Sequence, residues 1–223
     1  MNFLAHFYTT NSNIEAYKLL GVILPDVVKD FSKIHNHKIE EDFKTDVLEI
    51  HQMLEGIKLH LKGDNAFHNH SIFLELEAKA KKVLKAETNI TVKRKFIIAH
   101  VLVELMLDQF IINNYTKTID LFYNRLENID LNRANLFFEA LNTKEEVSHF
   151  KRNFSNFIEI KFLYHLKENE GVIFTLNKVF GTIFDYNFIA QTDLWNEIIE
   201  QLKESLSEKA PSLLDELKTK LYE

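Results

Sequence analysis

Apolar residues recur at helical spacing along nearly the whole chain. Ile14, Tyr17, Leu20 and Leu24 share one face, and Phe43, Val47, Ile50, Leu54, Ile57 and Leu61 share another. Phe73, Leu76, Ala80, Val83 and Leu84 form a third set. Steps of three and four predict helices in each case. A small helix is expected over residues 2–8. The next starts after Asn11-Ser12-Asn13 as cap and ends or bends at Pro25. Residues 32–40 are polar, and the pattern predicts a connection with His35 and His37 in solvent. A helix over 41–62 is loosened by Gly63, and another starts at Asn69 or Ser71. Thr91 is the expected cap of a helix over 92–113 that is apolar nearly all round, the mark of a central helix. Further helices are predicted over 116–128, 131–141, 143–157, 158–168, 171–186, 192–206 and 208–222. Asp130 and Thr143 are expected caps, Thr143 in a capping box with Glu146.

The 5 glycines and 2 prolines are too few for a turn-rich β fold. The expectation is an all-α chain whose 223 residues form one multi-helix domain. The net charge of −6 gives no support for nucleic-acid binding. With no cysteine, disulfides, zinc thiolates and a Cys nucleophile are excluded. No apolar run reads as a membrane span and MNFLAHFYTT is unlike a secretory signal, so a soluble cytoplasmic protein without a membrane partner is expected.

Two stretches break the bland pattern. GIKLHLKGDNAFHNH places His60, Asp64, His68 and His70 within eleven residues. AHVLVELMLDQF puts His100, Glu104 and Asp108 at steps of four on the most apolar helix. Charged groups on a buried helix are costly unless paired or metal-bound. Imidazoles and carboxylates on facing helices suit a divalent cation. The pattern alone leaves open whether this is a metal or phosphate site or a set of satisfied core residues. Phosphate loops, HExxH and GxSxG are absent. The 19 phenylalanines, dense in Val172–Phe188, read as aromatic core, with an apolar ligand pocket as the minority reading.

The segments MNFLAH, LLGVILPD, GIKLHLKGD and ELMLDQF, in that order, resemble the acyl carrier protein phosphodiesterase family. The likeness covers about the first 115 residues and is weak beyond. It implies a helical fold related to the HD-type metal-dependent phosphohydrolases. It also implies Mn²⁺- or Mg²⁺-dependent hydrolysis of the phosphodiester between 4′-phosphopantetheine and a serine of acyl carrier protein. His6, Asp26, His60, Asp64, His70 and Asp108 match family motif positions. This chain has His68 and Glu104 where the family has Asp, and Gln109 where the family has His. His100 matches no motif position and stands open between replacement ligand and core histidine.

On this resemblance, His60, Asp64 and Asp108 are expected metal ligands, with His6 and Glu104 as further ligands or as groups that orient them. Asp26 is expected to position or deprotonate the attacking water, and His70 to act as general acid. An acidic carrier protein needs a basic patch to dock on an acidic chain. Lys58 and Lys62 begin one, and Lys79, Lys82, Lys93, Arg94 and Lys95 extend it. The alternatives are an HD-like hydrolase of another small phosphoester, or a silent protein that binds a carrier protein or an apolar ligand.

Overall fold

The computed structural model describes the chain except residues 11, 12, 29–45, 91, 93, 142 and 143, and gives the backbone alone for 144–148. His35 and His37, Phe43, the caps expected at Asn11, Ser12, Thr91 and Thr143, and Lys93 therefore lie outside the described residues. Helices fill the rest: α1 (Phe3–Thr9), α2 (Ala16–Val27), α3 (Leu48–His68), α4 (Ser71–Ala86), α5 (Lys95–Asn114), α6 (Lys117–Glu127), α7 (Leu131–Ala140) and α8 (Lys144–Ile160). A 3₁₀ turn (Phe162–Lys167), α9 (Asn169–Phe184), a second 3₁₀ turn (Ile189–Gln191) and α10 (Thr192–Tyr222) complete it. No strand occurs among the described residues.

One continuous apolar core runs from Met1 to Leu217. The central helix α5 lies in it and packs against α1, α4, α6, α9 and α10. By length and composition α5 is long and apolar enough to cross a membrane, which the sequence reading did not expect; here most of it is buried by its neighbours.

The contact between α2 and α3 depends on two glycines. A Cβ at Gly21 would come within 2.1 Å of the Met53 carbonyl oxygen, and one at Gly56 within 2.0 Å of the Lys18 carbonyl oxygen. The two backbones thus approach closer than any side chain permits. This pairing sets Asp26 beside His60.

Several helix boundaries differ from the sequence pattern. Pro25 lies inside α2, one turn from its end. Helix α3 continues through Gly63 to His68. Gly63 makes room: a Cβ there would meet Met1 Cε at 3.2 Å and His6 Nδ1 at 3.4 Å. His70, rather than Asn69 or Ser71, caps α4 by accepting from the Ile72 amide. The helix expected over 158–168 breaks at Lys161, which takes a left-handed φ of 48°. The last two predicted helices are one, because Pro211 and Ser207 face solvent and the buried stripe Leu202, Leu206, Ala210 and Leu214 runs on unbroken. Asp130 caps α7 as expected, accepting from the Asn132 amide at 2.8 Å.

Candidate metal centre

Helix α3 presents His60, Asp64 and His68 on successive turns, and α5 presents His100, Glu104 and Asp108. Their four-residue spacing stacks each set along one helix face. Helix α1 adds His6, and α2 adds Asp26 at its C-terminal end. The ligand atoms of His6, Asp26 and His60 lie within 4.8 Å of one another, and so do those of His68, His100 and Glu104. These are two clusters of metal-ligating groups.

Asp64 and Glu104 join them. Asp64 sets Oδ1 3.2 Å from His6 Nε2 and Oδ2 3.4 Å from His60 Nε2. Glu104 Oε1 lies 3.2 Å from His68 Nε2 and 3.4 Å from His100 Nε2. The Met1 α-ammonium sits between the two carboxylates, 2.8 Å from Asp64 Oδ1 and 2.9 Å from Glu104 Oε1, with His68 Nε2 at 3.4 Å.

The imidazoles are oriented as ligands need to be. His60 donates Nδ1–H to the Val22 carbonyl at 2.8 Å, which turns Nε2 toward Asp64. His100 Nδ1 is held by Glu77 Oε1 at 3.0 Å, so its Nε2 faces Glu104. A histidine that spends one ring nitrogen on a carbonyl or carboxylate outside the site is the usual arrangement behind a metal ligand. The His6 and His60 rings stack with centroids 4.1 Å apart. His6 Nε2 is buried, faces Asp64 Oδ1 at 3.2 Å, and has no hydrogen-bond partner among the described residues. A buried nitrogen without a donor or acceptor partner is unfavourable unless an ion accepts its lone pair. The residues fit a divalent cation.

Charge coupling is strong. Burial, and then the neighbouring His60, hold His6 down to about 3 against the pull of Asp64. At His60 burial also opposes the cation, but Asp64 and Asp26 outweigh it and the pKa is raised. Burial would raise Asp64, yet His6, His60 and the Met1 ammonium hold it well below the usual range. Glu104 is likewise depressed, its burial overcome by the ammonium, His100 and His68. Asp26 is pushed up to about 6 by its protein surroundings, with Asp64 and Glu104 adding to the shift. It keeps an exposed edge at the rim, where water screens part of this effect. Asp64 and Glu104 thus stay ionised in a largely buried pocket, balanced by the Met1 ammonium and the surrounding imidazoles.

Other expected site residues sit elsewhere. Asp108 is fully buried and enters neither cluster. Its oxygens accept the amides of Ala5 at 2.9 Å and Leu4 at 3.3 Å, so it anchors the first turn of α1 rather than facing a ligand. His70 is occupied as the α4 cap, with Nε2 3.1 Å from Glu216 on α10, and belongs to neither cluster. Gln109 donates to Asn169 Oδ1 at 3.2 Å. Lys58 and Lys62 are exposed on α3, and Lys62 also donates to the Leu221 carbonyl at 3.1 Å. Lys95 binds the carbonyls of Leu84 and Glu87, closing the end of α4. The sequence reading overlooked Glu77, although a carboxylate in the apolar stripe Phe73, Leu76, Ala80 and Leu84 was a legible sign.

No protein-family model, curated protein or solved structure matches the chain. Its structure is that of an all-helical domain with two His/Asp/Glu clusters able to chelate a divalent cation, an arrangement consistent with metal-dependent hydrolysis.

Proposed function

We propose that the protein is a metal-dependent phosphodiesterase of the HD-like class that acts in the cytoplasm on holo acyl carrier protein, releasing 4′-phosphopantetheine. The observation that carries the hydrolytic reading is the pair of clusters joined through Asp64 and Glu104. His6, Asp26, His60 and Asp64 would hold one cation, and His68, His100 and Glu104 a second. A bound divalent ion supplies an ionised water at neutral pH and neutralises charge on the phosphoryl oxygens. Four imidazoles among the donors favour Mn²⁺ over the oxygen-seeking Mg²⁺.

The chain's own residues supply the rest. Asp26, the exposed member of the first cluster, orients the attacking water and takes its proton. Glu77 and the Val22 carbonyl fix the ring directions of His100 and His60. Asp108 fixes α1 and therefore His6. The carrier protein is supported by the motif resemblance and by Lys58 and Lys62, exposed on the helix that bears His60 and Asp64. Incubating the purified protein with holo acyl carrier protein and Mn²⁺, then weighing the intact carrier, tests this reading. Loss of one phosphopantetheine is expected. An unchanged mass, with cleavage of bis-p-nitrophenyl phosphate retained, would redirect the reading to a small phosphoester.

A further inference from the structure

Asp26 faces two ways. One is toward His6 and His60. The other is a cleft of about 340 Å³ between the end of α2 and the C-terminal half of α8. Its floor is a cluster of three aromatic rings. Phe3 lies 5.0 Å from Phe157 and 5.9 Å from Phe162 by ring centroids, and Phe157 lies 5.6 Å from Phe162. The rim carries the exposed carboxamides of Asn153 and Asn156 and the exposed side chain of Ile160. Among the described residues the lining bears no charge apart from Asp26. The volume is at the low end of the roughly 300–1,000 Å³ typical of small-ligand clefts, whose walls are mostly apolar with a few placed polar groups. A larger cleft of about 610 Å³ along Tyr164 and Phe174 touches neither cluster, so it lacks this connection to the chemistry.

We infer that the cleft beside Asp26 is the subsite for the organic arm of the phosphoester: an uncharged, mainly apolar chain with hydrogen-bonding groups along its outer edge. The inference rests on the hydrolase reading above and adds where the substrate lies. Among the described residues, this apolar-floored cleft opens directly from a cluster residue, Asp26, so a phosphate held at the clusters can lay its organic arm along it. The three rings bury the chain. The Asn153 and Asn156 amides can each donate to and accept from carbonyl or hydroxyl groups on it. An anionic arm would be desolvated over the phenylalanine floor and repelled by Asp26, so the cleft selects against it.

The test is calorimetric titration of the Mn²⁺-loaded protein with hexyl phosphate and with methyl phosphate, which share a head group and differ in the arm. Hexyl phosphate should bind at least about tenfold more tightly, as burial of a few methylenes requires. Asn156→Trp fills the mouth from an exposed position and should reduce the preference to below about twofold. Ile160→Trp, also at an exposed position, should do the same and guards against a folding defect in either variant. Equal binding of the two esters by the wild-type protein would overturn the subsite alone, as would a preference that survives both tryptophans. Failure of both esters to bind in the presence of Mn²⁺ would overturn the hydrolase reading, and the subsite with it.

Discussion

His60 Nδ1 and the Val22 carbonyl oxygen are 2.8 Å apart, a hydrogen bond that ties α3 to α2 and aims His60 Nε2 at Asp64. Asp64 in turn contacts groups from α1 and α3 and, through the Met1 ammonium, is linked to Glu104 on α5. Replacing Asp64 with Ala should therefore weaken Mn²⁺ binding by more than about 100-fold, since it removes the anionic ligand that faces both His6 and His60. Mn²⁺ at about 100 times its Kd should stabilise the wild-type protein by about 2.7 kcal/mol. For a chain of this length that is roughly 5–10 °C in Tm. EDTA should reverse the shift, and Asp64→Ala should not show it in thermal unfolding.

Glu77 acts through His100. Glu77→Ala frees the His100 ring and should lower Mn²⁺ affinity about 10- to 100-fold. Glu77→Gln keeps an acceptor oxygen near Nδ1 and should restore most of the loss. Equal defects in the two variants, measured by calorimetry, would show that Glu77 serves only to pair with Lys81.

Asp108 gives a pH signature. Burial pushes its carboxyl up to about 7, although the Ala5 and Leu4 amides favour the anion. A folded pKa above the unfolded value means that folding favours the protonated acid. The group is therefore harmless below about pH 4 and increasingly destabilising as pH rises toward 7. Asp108→Asn cannot ionise. Between pH 4.5 and 7.5 the wild-type protein should lose stability relative to this variant, by roughly 3 kcal/mol. Urea unfolding of both proteins across that range checks the sign.

Gly56→Ala drives a methyl group into the Lys18 carbonyl. Overpacking of this kind costs about 1–3 kcal/mol. The variant should also bind Mn²⁺ less tightly, because α2 and α3 carry Asp26 and His60 and must separate. Chemical denaturation and metal titration on the same sample measure both effects.

If Lys58 and Lys62 guide an acidic carrier protein, changing both to Glu should weaken its binding about tenfold or more at low salt, with the loss shrinking as salt is added. Cleavage of bis-p-nitrophenyl phosphate should fall far less than cleavage of the carrier protein.

What depends on neighbours a few residues away was legible in the chain. Spacing of Phe73, Leu76, Ala80 and Leu84 marked the helix now seen as α4, and steps of four put His60 above Asp64 and His100 above Glu104, because helix geometry is local. It also marked α5 as central, and its charged ladder as a conflict that needed a partner. What each ladder faces was decided by tertiary packing. Asp108 continues the spacing of His100 and Glu104, yet α1 lies against that turn, and its free amides take the carboxylate. His6 meets His60, 54 positions further along the chain, because Gly63 leaves space for its ring and Gly21 and Gly56 let two helix backbones touch. Glu77 reaches His100 only because α4 packs on α5. A periodic pattern fixes which side of a helix a residue occupies, and only the neighbouring helix decides whether that side meets an ion, an amide or a ring.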